Sequence, residues 1–326
     1  MMMSGALARR GRAAAEHVHT VGGRLPAGRL GVTLVHEHVM VDFIGAGDAS
    51  KDRYDAGEVF NVALPYLKRI RSLGCRSLVE CTPAYLGRDA LLLKRLADAS
   101  GIRIITNTGY YGAVGGKYLP RHAFEESAEK LAGRWTEEFS SGIEGTGIRP
   151  GIIKIGVNQG PLSQTDAKLV RAAALTHKAT GLTIASHTGN GPAALEQLDI
   201  LVSAGVAPDA FIWVHAQNET NAGVHAAAGG RGAWLEFEGI TEKTLAARVD
   251  QVVGLINKGL LRRILISLDA GWYHVGEPGG GTFRGYEFFF TSFIPALRKA
   301  GITDSQIRRL TTDNPREALI LRTRLV

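Results

Sequence analysis

Four histidines, one aspartate and one lysine stand out because each sits in, or closes, a short apolar run. His36 and His38 end the run Val35-His36-Glu37-His38. Residues two apart on an extended chain point to the same side, so the two imidazoles can converge on one point. His187 closes Ala185-Ser186-His187, His215 closes Trp213-Val214-His215, and Asp269 closes Ser267-Leu268-Asp269. A single strand histidine is commonly a hydrogen-bonded core residue. Four of the ten histidines at such ends, with a carboxylate beside them, read as a metal site. Lys154 lies in Gly151-Ile152-Ile153-Lys154-Ile155-Gly156. An ammonium among aliphatic neighbours must find a partner or lose its charge. Two readings stay open for it. It is either a carbamate formed with CO2, able to bridge two metals, or a salt-bridged lysine reaching toward solvent.

These residues need a scaffold that collects strand ends. Eight apolar runs occur: 31–35, 75–79, 102–106, 151–155, 182–186, 211–214, 233–237 and 264–268. They are short, near-continuous and rich in β-branched or aliphatic residues, as in parallel strands covered on both faces. Amphipathic stretches separate them. Residues 56–73 place Val59, Val62, Ala63, Tyr66, Leu67 and Ile70 on one stripe, and Ser163 precedes a helix over 167–180 as its N-cap. Gly74, Gly101, Gly181 and Gly301 stand where helices should stop. This rhythm predicts an α/β fold, a (β/α)8 TIM barrel, with a doubly wound sheet plus an appended domain as the rival. Residues 19–28 read as a hairpin plugging the barrel's lower face. We therefore expect a flexible basic arm over 1–18 and a single metal-dependent hydrolase barrel over 19–326.

Composition narrows the options. The chain has 326 residues, 45% hydrophobic and 21% charged, which suits a globular protein. It contains no uninterrupted apolar stretch of about 18 residues, so no membrane span is expected. The net charge of +7 hints at a polyanionic partner, but residues 1–29 hold five arginines and one acid. Most of the excess is therefore local, and no nucleic-acid partner is expected. Cys75 and Cys81 flank one predicted strand, too far apart to pair, and free thiols without an export signal point to the cytoplasm.

The ordered set of motifs resembles the phosphotriesterase family of the amidohydrolase superfamily, the binuclear-metal barrels that include phosphotriesterase-like lactonases. The resemblance runs from Thr20-Val21-Gly22-Gly23 and the segment 30–38 to Thr312-Asp313-Asn314-Pro315-Arg316-Glu317-Ala318-Leu319. It implies that His36, His38 and Asp269 hold the more buried of two divalent ions, and His187 and His215 the more exposed one. It further implies that Lys154, as N6-carboxylysine, bridges them together with a hydroxide, with Asp269 accepting the nucleophile's proton. Zinc suits the nitrogen and oxygen ligand set, with manganese, cobalt and iron as other options. Asn218 stands where such enzymes carry a relay aspartate, and Glu219 is a substitute relay. Glu236-Phe237-Glu238-Gly239 stands where an arginine or histidine often occurs. Asn107, Tyr110, Glu238, Trp272, His274 and Arg284 are the candidate substrate contacts, and together they predict a polar pocket. The expected activity is opening of a small polar lactone or cleavage of a carboxylic ester. Phosphotriester hydrolysis and amide hydrolysis are alternatives, and a non-catalytic metal-binding barrel is the alternative of a different class. A homodimer is implied by the resemblance alone.

Overall fold

The computed structural model describes residues 16–326. Eight strands form the barrel: β1 Thr33–Glu37, β2 Ser77–Glu80, β3 Arg103–Ile105, β4 Ile152–Val157, β5 Thr183–Thr188, β6 Phe211–Val214, β7 Trp234–Phe237 and β8 Ile264–Ile266. All neighbouring pairs are parallel. After Thr106, β3 resumes as Asn107–Thr108, and that second piece pairs with β4. The ring closes between its first and last strands, where Asp269 N donates to His36 O at 3.1 Å and His38 N to Ala270 O at 2.8 Å. The fold is a TIM barrel.

Each predicted run has its strand, with shifted limits. β1 and β5 reach two residues beyond the apolar runs, to Glu37 and Thr188, because backbone pairing continues under the polar side chains of the mouth. The helix over Ala56–Ser72 is capped by Asp55, whose carboxylate accepts from Gly57 N and Glu58 N. It buries Val59, Ala63, Leu67 and Ile70, one face of a 3.6-residue period. Ser163 caps the helix over Gln164–Thr180 in a capping box with Asp166, so that helix starts three residues earlier than its apolar pattern.

The lower end is closed by a hairpin of His17–Thr20 and Gly23–Pro26. Its Val18 packs with Leu30 against inward-facing barrel residues such as Val35, Val79, Ile152, Trp234 and Leu265. The hairpin starts at His17, two residues before the residue 19 expected for it. The rest of the expected arm, residues 1–15, lies outside the described residues. Three histidines outside the strand-end set are also buried: His19, His177 and His225. His177 Nδ1 lies 2.7 Å from Leu182 O, and its Nε2 accepts from Arg324 N at 2.9 Å. Among the described residues, no helix is long and apolar enough to cross a membrane.

Candidate metal centre

The six singled-out side chains line one cavity of about 180 Å3 at the C-terminal mouth: His36, His38, Lys154, His187, His215 and Asp269. His36 Nε2 and His38 Nε2 are 3.3 Å apart. Asp269 Oδ1 is 3.1 Å from His38 Nε2 and 3.8 Å from His36 Nε2. A tetrahedral ion with bonds of ~2.0–2.1 Å spaces its ligands by about 3.3 Å, so these three atoms fit a single ion. The His187 and His215 rings meet edge to face with centroids 4.3 Å apart. His215 and Asp269 both adopt left-handed backbone, φ 64° and 56°. Such conformations cost ~1–3 kcal/mol each in non-glycine residues and cluster at functional sites. Each turns the chain sharply at a strand's exit, aiming its side chain over the barrel axis. Gly271 is required nearby, because with φ +99° any Cβ would run into His38 O.

Burial sets the protonation states. It lowers His36 to about 4 and takes His187 well below its ordinary value, with His215 and Lys154 adding to the effect on His187. Both rings are therefore neutral at pH 7, the form that ligates a metal. Burial opposes ionisation of Asp269, but His38 and His36 hold its carboxyl below the usual carboxylate range. Lys154 is 2% exposed, and its Nζ has no hydrogen-bond partner among the described residues. Asp269 Oδ1 faces only the Nε2 atoms of His38 and His36, the other members of its ligand set. A folded protein rarely leaves a buried amine uncompensated, so the orphaned Lys154 and this donor set fit a site built to receive cations.

The outer nitrogens of these histidines are also held. Thr82 Oγ1 donates to Met40 O at 3.0 Å, so it must accept from His38 Nδ1 at 2.7 Å, leaving Nε2 of His38 as the free lone pair. His36 Nδ1 lies 2.8 Å from Glu236 Oε1, His215 Nδ1 contacts Glu238, and His187 Nδ1 lies 3.0 Å from the Tyr111 hydroxyl. Glu37, between the two β1 histidines, faces the barrel seam and accepts from Ser267 Oγ, Leu268 N and Ala270 N. It staples β8 to β1. Thr82, Tyr111, Glu37 and Glu236 were not singled out from sequence. The period-2 rule could have found Glu236 once the strand phase was known.

The expected substrate contacts fare differently. Trp272 lines the cavity, with φ 77° and its Nε1 donating to Asp269 O at 2.8 Å. His274 stacks on Trp272 from the rim. Neither His274 nor the other four line it. Asn107 is fully buried and donates to Glu80 O and Thr82 O. Tyr110 turns away to pack on Trp135 and meet His122, because left-handed Gly109 resets the alternation and sends Tyr111 inward. Glu238 is fully buried beneath the histidines. Arg284 grips the carbonyls of Leu268 and Asp269 and so positions the β8 exit. The proposed relay also fails: Glu219 is engaged with Gly191 N and Asn221 N, and Asn218 is exposed. The cavity wall is instead apolar and aromatic, formed by Phe43, Leu86, Tyr111, Val114, Tyr118 and Trp272. The expected polar pocket is corrected accordingly.

A TIM barrel presenting histidines, an aspartate and a buried lysine at its C-terminal mouth has the make-up of a hydrolase of the metal-dependent ester-cleaving class. The chain belongs to the phosphotriesterase family, whose profile matches residues 16–319. It is 29% identical to the phosphotriesterase homology protein of Escherichia coli, over 87% of this chain and 96% of that one. It is 26% identical to the phospho-furanose lactonase of Mycoplasmopsis synoviae, over 92% and 90% of the two chains. Among solved structures, the organophosphorus hydrolase of Deinococcus radiodurans superposes with a TM-score of 0.83 at 26% identity, covering 94% of this chain and 98% of that one.

Proposed function

We propose that this chain is a binuclear metal-dependent hydrolase that opens a lactone or cleaves a carboxylic ester bearing an apolar or aromatic group. The observation that carries the reading is the orphaned Lys154 Nζ inside a cavity that also collects His36, His38, His187, His215 and Asp269. His36, His38 and Asp269 would hold one ion and His187 and His215 the other, with Lys154 shared as a carbamate and zinc the fitting ion. Two such cations supply Lewis acidity and a water whose pKa falls toward neutrality.

The chain's own residues do the rest. Asp269, ionised and partly open to the cavity, is placed to accept the proton that the attacking water gives up. Burial pushes the Tyr111 phenol up, so it stays protonated and can donate to an oxygen of the reacting group. Phe43, Tyr118 and Trp272 exclude water and stack a flat or apolar substituent. The lactonase relative supports the ester chemistry, while the wall supports an apolar substrate over a hydroxylated one.

The test is metal analysis of the purified protein beside an activity panel of aliphatic lactones, sugar lactones, aryl esters, a phosphotriester and an amide. Two metals per chain with turnover of aryl esters and aliphatic lactones is the expected result. Less than one metal, or faster turnover of sugar lactones, overturns it. Isotope-labelled bicarbonate reports separately on Lys154.

A further inference from the structure

Strand β7 leaves the barrel through Glu236-Phe237-Glu238, and residues two apart put both carboxylates on the inner side while Phe237 packs outward. Both glutamates are fully buried. They share His36, and Glu238 reaches His215 as well. Glu236 Oε1 lies 2.8 Å from His36 Nδ1. Glu238 Oε2 also lies 2.8 Å from His36 Nδ1, while its other oxygen contacts Nδ1 of His215. The Glu236 carboxyl lies beside it, and no backbone N–H among the described residues engages either oxygen of Glu238. Its carboxylate therefore faces two imidazoles, one from each proposed ion's ligand set.

We propose that Glu238 is a positioning residue that ties the two metal sites to a single carboxylate and couples their filling. This rests on the binuclear reading given above. An imidazole whose Nδ1–H is held by a carboxylate presents Nε2 as a fixed and more basic lone pair, and losing such a partner typically costs ~10–100-fold in metal affinity. In most sites each histidine has its own outer partner, as His38 has Thr82 here. Here one side chain serves two histidines that face different ions. When an ion draws His36 into place, the Glu238 carboxylate is fixed, and His215 is fixed with it. The second ion then binds a ligand that is already oriented, which is positive coupling between sites. Glu236 meets His36 and the Glu238 carboxyl but does not reach His215, so it does not itself link the two ligand sets.

The experiment is a stepwise Mn2+ titration of chelator-treated protein, followed by calorimetry and by the exchange-coupled signal of paired manganese in electron paramagnetic resonance. In the wild type, the coupled signal should rise from the first equivalents. Glu238→Gln should separate the two steps. An amide can accept from one imidazole only and turns its NH2 toward the other, forcing that ring to protonate Nε2. The second equivalent should weaken by ~10–100-fold, and the coupled signal should appear only after the first equivalent is bound. Glu236→Gln should leave both steps together. Circular dichroism of the metal-free variants checks the fold. Glu238→Asp, with its carboxylate one methylene short, should show the same separation to a smaller degree if the Gln variant does not fold. Wild-type affinity at both steps in Glu238→Gln, or equal weakening by Glu236→Gln, overturns the coupling while leaving two metals bound. A wild type that takes fewer than two equivalents removes the binuclear reading and the coupling with it.

Discussion

The two ends of the barrel handle buried polar groups in opposite ways. At the lower end, Arg324 is buried yet donates to the carbonyls of Glu317, Ala318 and Ile320 and to Thr183 Oγ1, while its own backbone N–H serves His177. At the mouth, Lys154 Nζ is buried with no such partner, and His215, Asp269 and Trp272 carry left-handed backbone. Satisfied polar groups mark where the chain is held together. At the mouth an unpaired charged group coincides with left-handed backbone, whereas single unpaired atoms at the lower end, such as His19 Nδ1 and Arg324 Nε, do not. Substitutions at the two ends should therefore separate activity from stability.

The largest effect is expected at the mouth. Asp269→Asn keeps the shape but removes both a ligand charge and the proton acceptor, so kcat/KM should fall by on the order of 10^3 or more. Urea unfolding of the metal-free protein should shift by no more than about 1–2 kcal/mol, since Asp269 Oδ1 faces only His38 and His36 there. A variant that loses stability in step with activity would break the contrast. The converse holds for Arg324→Ala. It strips donors from several buried carbonyls and should cost about 2–4 kcal/mol in urea unfolding, with kcat per folded molecule unchanged.

Lys154→Met sharpens the contrast further. It replaces an unpaired buried ammonium by an apolar chain of similar length, so metal-free stability should hold or rise by about 1 kcal/mol. Metal content should drop below two per chain at the same time. A clear loss of metal-free stability would mean that Lys154 has a structural partner after all.

The same division explains what the sequence made legible. The eight runs were readable because parallel strands buried on both faces leave long apolar signatures, and the ligand set was readable because it breaks them at matching ends. The hairpin's start and the burial of His19, His177 and His225 depend on what packs over them, which no local pattern records. Tyr110 and Tyr111 differ only in phase, and left-handed Gly109 sets that phase through its close approach to the Lys154 backbone. Asn107, Glu238 and Arg284 are polar residues near the mouth in sequence, yet their side chains serve backbone or histidine partners. Polarity alone could not say which side they would face.

The smallest expected effect lies at the lower end, where His19 has no metal to meet. Burial, with His17 adding to it, lowers His19 to about 4 from an ordinary 6.5. Between those values the unfolded chain binds a proton at this ring and the folded one does not. The contribution is therefore complete above pH 6.5 and is lost as pH falls toward 4. His19→Phe keeps a ring to stack on Phe139 but cannot titrate, so its stability should fall less over that window. The difference should be on the order of 1 kcal/mol, because the hairpin can open locally to admit the proton. Urea midpoints compared between pH 7 and pH 4.5 read it, and parallel slopes in the two proteins would show that His19 does not carry this dependence. Acid lability at the lower end would then arise from other groups, and the mouth and the floor would differ in partnering but not in protonation.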